Sequence, residues 1–252
     1  MHQKRLQTIV TSLLLTHGGL ACCLAGLEGG GKSTAATALS EACPDLVRVV
    51  YVSKALATHC EFLETGPGRH GRATKALIRE VRAKMEARDK NIDPQFLKAA
   101  LHRALMAVIG KEMGEGESPN LFVLIDGYPR LKEQADEAPA VLGGFFPNHP
   151  ALILEVGCDQ EEAFRRATSR GGDWNSPSNI TRSHLEFNQR MPDVRSAATR
   201  WSDHIMISSD GPQDETLAQL ADRLEEYSAR IATGGFKKPD PALMIQGILA
   251  NV

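Results

Sequence analysis

The chain has 252 residues, 42% hydrophobic and 24% charged, with a formal net charge of −2. This length suits one large α/β domain, or one domain with insertions. The charge balance argues against wholesale attraction to nucleic acid or membrane, and no run of about 18 apolar residues is present to span a bilayer.

The first predicted element is a helix within residues 1–19. Leu6, Ile9, Val10, Leu13 and Leu14 recur at helical spacing, and Gly18 and Gly19 stop it. The first acid is Glu28, and Lys4 and Arg5 precede it. A mitochondrial-type presequence shares that composition; a leading helix of a cytoplasmic protein is the plainer reading. Five cysteines, Cys22, Cys23, Cys43, Cys60 and Cys158, form no C-x-x-C pair, which argues against zinc and suits a reducing compartment. Cys22 and Cys23 lie in an apolar run and read as core residues.

The main domain is read as residues 20–232. Apolar runs at 20–25, 46–52, 121–125, 151–156 and 204–207 read as buried strands separated by helical stretches. That order predicts α/β architecture with a five-stranded parallel sheet covered on both faces. Residues 53–120 form a long insertion holding two strongly helical segments, 72–90 and 94–113. Residues 170–180, rich in Gly, Asn, Ser and Pro, read as a mobile flap. Residues 233–252 read as a linker and a short helix.

Residues 26–33 read Gly-Leu-Glu-Gly-Gly-Gly-Lys-Ser, a G-x-x-x-x-G-K-[ST] match between a strand and a helix. Gly26, Gly29, Gly30 and Gly31 let the backbone close around phosphate oxygens, and Thr34 opens the helix whose N-terminus faces the anion. Lys32 supplies a charge for the β- and γ-phosphates, and the Ser33 hydroxyl is a candidate Mg²⁺ ligand. Glu28 is unusual in such a loop, because its carboxylate must be turned away or offset by a cation. The motif implies a three-layer P-loop NTPase fold that takes ATP and Mg²⁺.

Residues 126–130 read Asp-Gly-Tyr-Pro-Arg directly after the third predicted strand, and Gln134 follows. Asp126 sits where P-loop enzymes hold a metal-organising carboxylate. Gly127 and Pro129 predict a turn that aims Arg130 over the cleft. Together with the phosphate loop, this segment resembles the adenylate kinase and UMP/CMP kinase family. The resemblance spans roughly residues 20–228. It implies that Arg130 binds the acceptor phosphate, that Gln134 reads the acceptor base, and that residues 53–120 bind the nucleoside monophosphate. Ser53 matches the start of the family's acceptor segment. Ala55 and Leu56 then replace its Gly-Asp, and His59 stands where the family has a phosphate-binding Arg, with Arg69 or Arg72 as substitutes.

The resemblance also implies a short lid within residues 165–190. Arg165, Arg166, Arg170 and Asp173 fall there, followed by Arg182 and Arg190. Arg170 is assigned to the transferring phosphoryl group and Arg182 to substrate. The turn Ser208-Ser209-Asp210-Gly211 matches one that packs on the ATP adenine. His59 and His70 read as surface histidines or phosphate contacts, and Phe62, Phe96 and Trp174 as packing residues or base platforms. The implied activity is phosphoryl transfer to a nucleoside monophosphate, with nucleotides as partners and a monomer favoured. A P-loop kinase for a sugar acid or similar acceptor, and a non-catalytic nucleotide-binding module, remain the alternatives.

Overall fold

The computed structural model describes residues 2–66, 72–87, 89, 91–110, 120–146 and 150–237, without the Trp174 side chain. The expected residues Arg69 and His70, and the helix expected near the C-terminus, lie outside these residues. In chain order the elements are α1 (His2–His17), β1 (Leu20–Gly26), α2 (Lys32–Ala42), β2 (Val47–Tyr51) and α3 (Val52–Thr65). Next come α4 (Arg72–Glu86), α5 (Pro94–Ile109), β3 (Phe122–Asp126), α6 (Lys132–Gly143) and β4 (Ala151–Gly157). The chain continues with α7 (Gln160–Thr168), α8 (Pro177–Ala198), β5 (Asp203–Ser208) and α9 (Gln213–Ala232).

The five strands form one parallel sheet in the order β2-β3-β1-β4-β5. Alternate residues of β1 enter two separate cores. Ala21, Cys23 and Ala25 join one, which also takes residues of α3, α4, α5, α6 and α8. Leu20, Cys22 and Leu24 join the other, with residues of α1, α2 and α9. Apolar side chains on both faces explain why the strands read as continuous runs rather than alternating ones. The cysteines at 22 and 23 are fully buried and free, and burial pushes the Cys23 thiol up to about 12.

The five predicted apolar residues of α1 are all buried, and Arg5 on its outer side pairs with Asp222 and Glu225 of α9. This helix is therefore part of the core. Among the described residues, no helix is long and apolar enough to cross a membrane.

Two expectations are corrected. The insertion holds a third helix, α3, which starts at Val52, directly after β2. Its buried residues Val52, Ala55, Leu56, His59 and Cys60 follow helical spacing, so the signal was present in the sequence. The flap is also shorter than 170–180. Pro177 occupies the first turn of α8, where its fixed φ and missing N–H suit a helix start, and Ile180 is fully buried. Only a short connection with one 3₁₀ turn, Asp173–Asn175, separates α7 from α8.

Candidate functional site

The strand order reverses at β1, with β3 on one side and β4 on the other. In parallel α/β sheets a crevice opens at the carboxyl ends of the strands beside such a point. A cleft of about 420 Å³ lies there. Among its lining residues are Gly26, Gly29, Gly30, Gly31, Lys32, Ser33, Thr34, Ser53, Asp126, Arg130, Gln134, Arg170 and Arg182, all nominated from the sequence.

The glycine-rich loop leaves β1 and enters α2. Gly29 has φ 85°, and a Cβ there would stand 2.0 Å from the Ala163 carbonyl oxygen of α7. Backbone approach that close, at positive φ, admits only glycine. Lys32 Nζ donates to the carbonyls of Gly26 and Leu27 at 2.8 and 2.7 Å, so its charge is held at the loop mouth. Two outside groups brace the loop. The buried Ser209 hydroxyl donates to the Gly30 carbonyl at 3.0 Å, and the His184 Nε2 lies 2.8 Å from the Glu28 carbonyl. The turn after β5 is itself held by Arg166, which donates to the Ser209 carbonyl at 2.8 Å.

Asp126 ends β3 beside Leu24 of β1, which sets it next to the loop. Gly127 turns the chain at φ 91°, and the Arg130 guanidinium folds back over it: a Cβ at 127 would lie 2.5 Å from Arg130 Nη2. The Gln134 Oε1 accepts the Arg130 backbone N–H at 2.8 Å, and the Tyr128 hydroxyl donates to the Gln134 carbonyl at 2.9 Å. The Asp-Gly-Tyr-Pro-Arg turn is thus closed on the first turn of α6.

The apolar lining of the cleft comes from Val52, Leu56, Met85, Ile92, Leu97, Phe187 and Met191, with Ser53, Asp89 and Gln134 among the polar groups. One stripe of α8 lines the cleft: Asn179, Arg182, Ser183, Glu186, Phe187, Arg190 and Met191. Arg182 Nη2 donates to the Ala87 carbonyl at 3.1 Å, joining α8 to the end of α4. Arg190 lies 3.6 Å from Glu186, and its buried Nη1 makes no hydrogen bond among the described residues.

Several other residues stand elsewhere. Arg165 and Arg166 both pair with Glu162 and do not line the cleft, and these contacts, Arg165 first, hold the Glu162 carboxyl down at about 2. Arg72 is exposed at the start of α4, away from the cleft. His59 is neither a surface residue nor a cleft residue. It is 7% exposed, edge-on to Phe96, and accepts from Arg103 Nε at 3.4 Å. Burial and the Arg103 charge lower its pKa. Phe62 stacks under Arg103, and Phe96 is core.

His184 had no distinguishing local signal in the sequence; Ser209 lies in the turn that the resemblance set against the ATP adenine, and its hydroxyl is bonded to the loop at Gly30. Arg190 and Glu186 did carry a signal: with Arg182 they repeat every four residues along one helix face. No family model and no curated protein matches the chain.

The donor set suits a polyphosphate. Lys32, Arg130, Arg170, Arg182 and Arg190 line one cleft with the amide-rich loop. Ser33 and Asp126 are hard oxygen donors in the same cleft, as Mg²⁺ requires.

Proposed function

We propose that the chain is a nucleoside monophosphate kinase on a P-loop NTPase fold, transferring the ATP γ-phosphoryl group to a ribo- or deoxyribonucleoside monophosphate. One observation carries this reading. The cleft has two unlike sides: the glycine-rich, Lys32-bearing loop follows β1 on one side of Asp126, and the start of α3, with the apolar lining residues Val52 and Leu56, follows β2 on the other. A triphosphate suits the first side. A flat, weakly polar base whose phosphate faces Arg130 suits the second. A sugar acid would leave its hydroxyls against Val52, Leu56, Ile92 and Phe187, without the dense hydrogen bonding that such acceptors need.

In this reading the acceptor phosphate oxygen attacks the γ-phosphorus directly, in line with the departing ADP, with no covalent enzyme intermediate. Catalysis is then positioning and charge neutralisation. Arg130 holds the acceptor phosphate. Lys32 exchanges its loop carbonyls for β- and γ-phosphate oxygens. Arg170, Arg182 and Arg190 surround the transferring group. Ser33, and Asp126 through water, would hold Mg²⁺, which withdraws charge from the β- and γ-phosphates. The α8 wall and the α3–α5 insertion shield the reaction from water.

Coupled ADP production with Mg-ATP and a panel of nucleoside monophosphates tests the proposal. Acceptor-dependent turnover with one or two of them is expected. ATP binding without turnover on any nucleoside monophosphate would overturn it in favour of a kinase for another acceptor or, next, a non-catalytic module.

A further inference from the structure

We infer that His184 is a positioning residue that sets the glycine-rich loop in its anion-receiving shape and couples that loop to the helix carrying Arg182 and Arg190. The inference rests on the nucleotide-binding reading of the cleft and adds a residue that does not line it.

His184 sits on α8 and is 1% exposed. Among the described residues its ring makes one hydrogen bond. A carbonyl only accepts, so Nε2 carries the proton and donates to Glu28 O at 2.8 Å. The other ring nitrogen, Nδ1, is buried with no partner among the described residues. Phe164 of α7 packs edge-on against the ring. An apolar residue of similar volume would avoid the desolvated nitrogen. What the imidazole adds is direction at Glu28.

That direction matters because of the peptide plane. In a trans peptide the C=O and the following N–H point opposite ways. Holding the Glu28 carbonyl toward α8 turns the Gly29 N–H away from α8. Gly29 lines the cleft and, lacking a Cβ, sets little barrier to rotation of this peptide, so the bond from His184 decides which way it faces. His184 therefore presents one donor of the loop to the bound anion. It does so from the helix whose other face, through Arg182, Glu186 and Arg190, forms the cleft wall.

The test is calorimetric titration of Mg-ATP into the full chain and its variants, beside their thermal unfolding. H184L and H184F remove the donor and fill the space; H184Q retains an N–H donor able to meet the same carbonyl. In folded protein, H184L or H184F should raise the Kd about tenfold, as expected for one misdirected donor to a charged group, while H184Q stays within about threefold of wild type. Wild-type protein adds a readout independent of any variant: Mg-ATP should shift the ¹⁵N resonance of His184 Nε2. A wild-type Kd in the donor-less variants, equal weakening in H184Q, or an unmoved Nε2 resonance overturns the inference while leaving the nucleotide reading intact. Failure of the wild-type chain to bind Mg-ATP overturns both.

Discussion

The Gln134 side chain accepts the backbone N–H of Arg130 at 2.8 Å, four residues before it in sequence. Gln134 is 3% exposed, so the bond is shielded from water. The residue that the family resemblance assigns to base recognition thus also fixes the turn that carries Arg130.

Gln134→Leu leaves that N–H without its acceptor. The expected cost is about 1–3 kcal/mol of stability, read from urea unfolding. The acceptor KM should rise while the ATP KM stays near wild type. A rise confined to the ATP KM would contradict the placement of Arg130 on the acceptor side.

Lys32→Met removes the ammonium and keeps the apolar stem. The turnover number should fall about a hundredfold to a thousandfold, as when one preorganised charge-stabilising donor is lost. Lys32 donates to the loop carbonyls of Gly26 and Leu27 at the cleft, so the thermal unfolding midpoint should change little. Steady-state kinetics and calorimetry on one preparation check both statements.

Gly29→Ala puts a Cβ against the Ala163 carbonyl oxygen and places alanine at φ 85°. Strain and overpacking together should cost about 3 kcal/mol. Mg-ATP affinity should drop with stability, because the loop moves to relieve the contact. An unchanged unfolding midpoint would show that α7 yields instead.

A buried carboxylate makes stability depend on pH. Glu155 of β4 is 4% exposed and bonded to Arg195 of α8 and His204 of β5. Burial by itself would raise its carboxyl; the hydrogen bonds from His204 and Arg195 outweigh this and hold it at about 2. A depressed acid stabilises the fold above its unfolded pKa of roughly 4.3, and that contribution is lost as pH falls toward about 2. Arg195→Leu should cost about 3 kcal/mol at neutral pH, because it leaves the buried charge with only His204. Urea midpoints at pH 7 and pH 3 should show the gap between wild type and variant narrowing at the lower pH.

The two motifs were legible because each is contiguous and its geometry is local. Residues 26–33 form a loop that turns at positive φ at Gly29 and Gly31 and passes close to the Ala163 carbonyl, which calls for glycines at fixed offsets from Lys32. Residues 126–134 must end a buried strand, turn at Gly127 and return Arg130 over the turn. The strands were legible too, since burial on both faces leaves a continuous apolar run. The boundaries of the segment between α7 and α8 were not. Composition at 170–180 favours a loop, yet Pro177 begins a helix and Ile180 packs fully into the protein. His59 was misread because one residue in α3 carries no mark of the α5 residues, Phe96 and Arg103, that enclose it.

By itself, then, the amino-acid order determined the α/β class, the parallel sheet, the glycine-rich loop and the Arg130 turn, because these depend on hydrophobic period and on the φ preferences of neighbouring residues. Tertiary structure alone decided which arginines face the cleft. Arg165 and Arg166 turn to Glu162, whereas Arg182 and Arg190 share the cleft face of α8. It alone joined His184 to Glu28 across 156 residues and Ser209 to Gly30 across 179. Such bonds form where the packing of helices on the sheet brings distant polar groups within about 3 Å, a distance that no local pattern encodes.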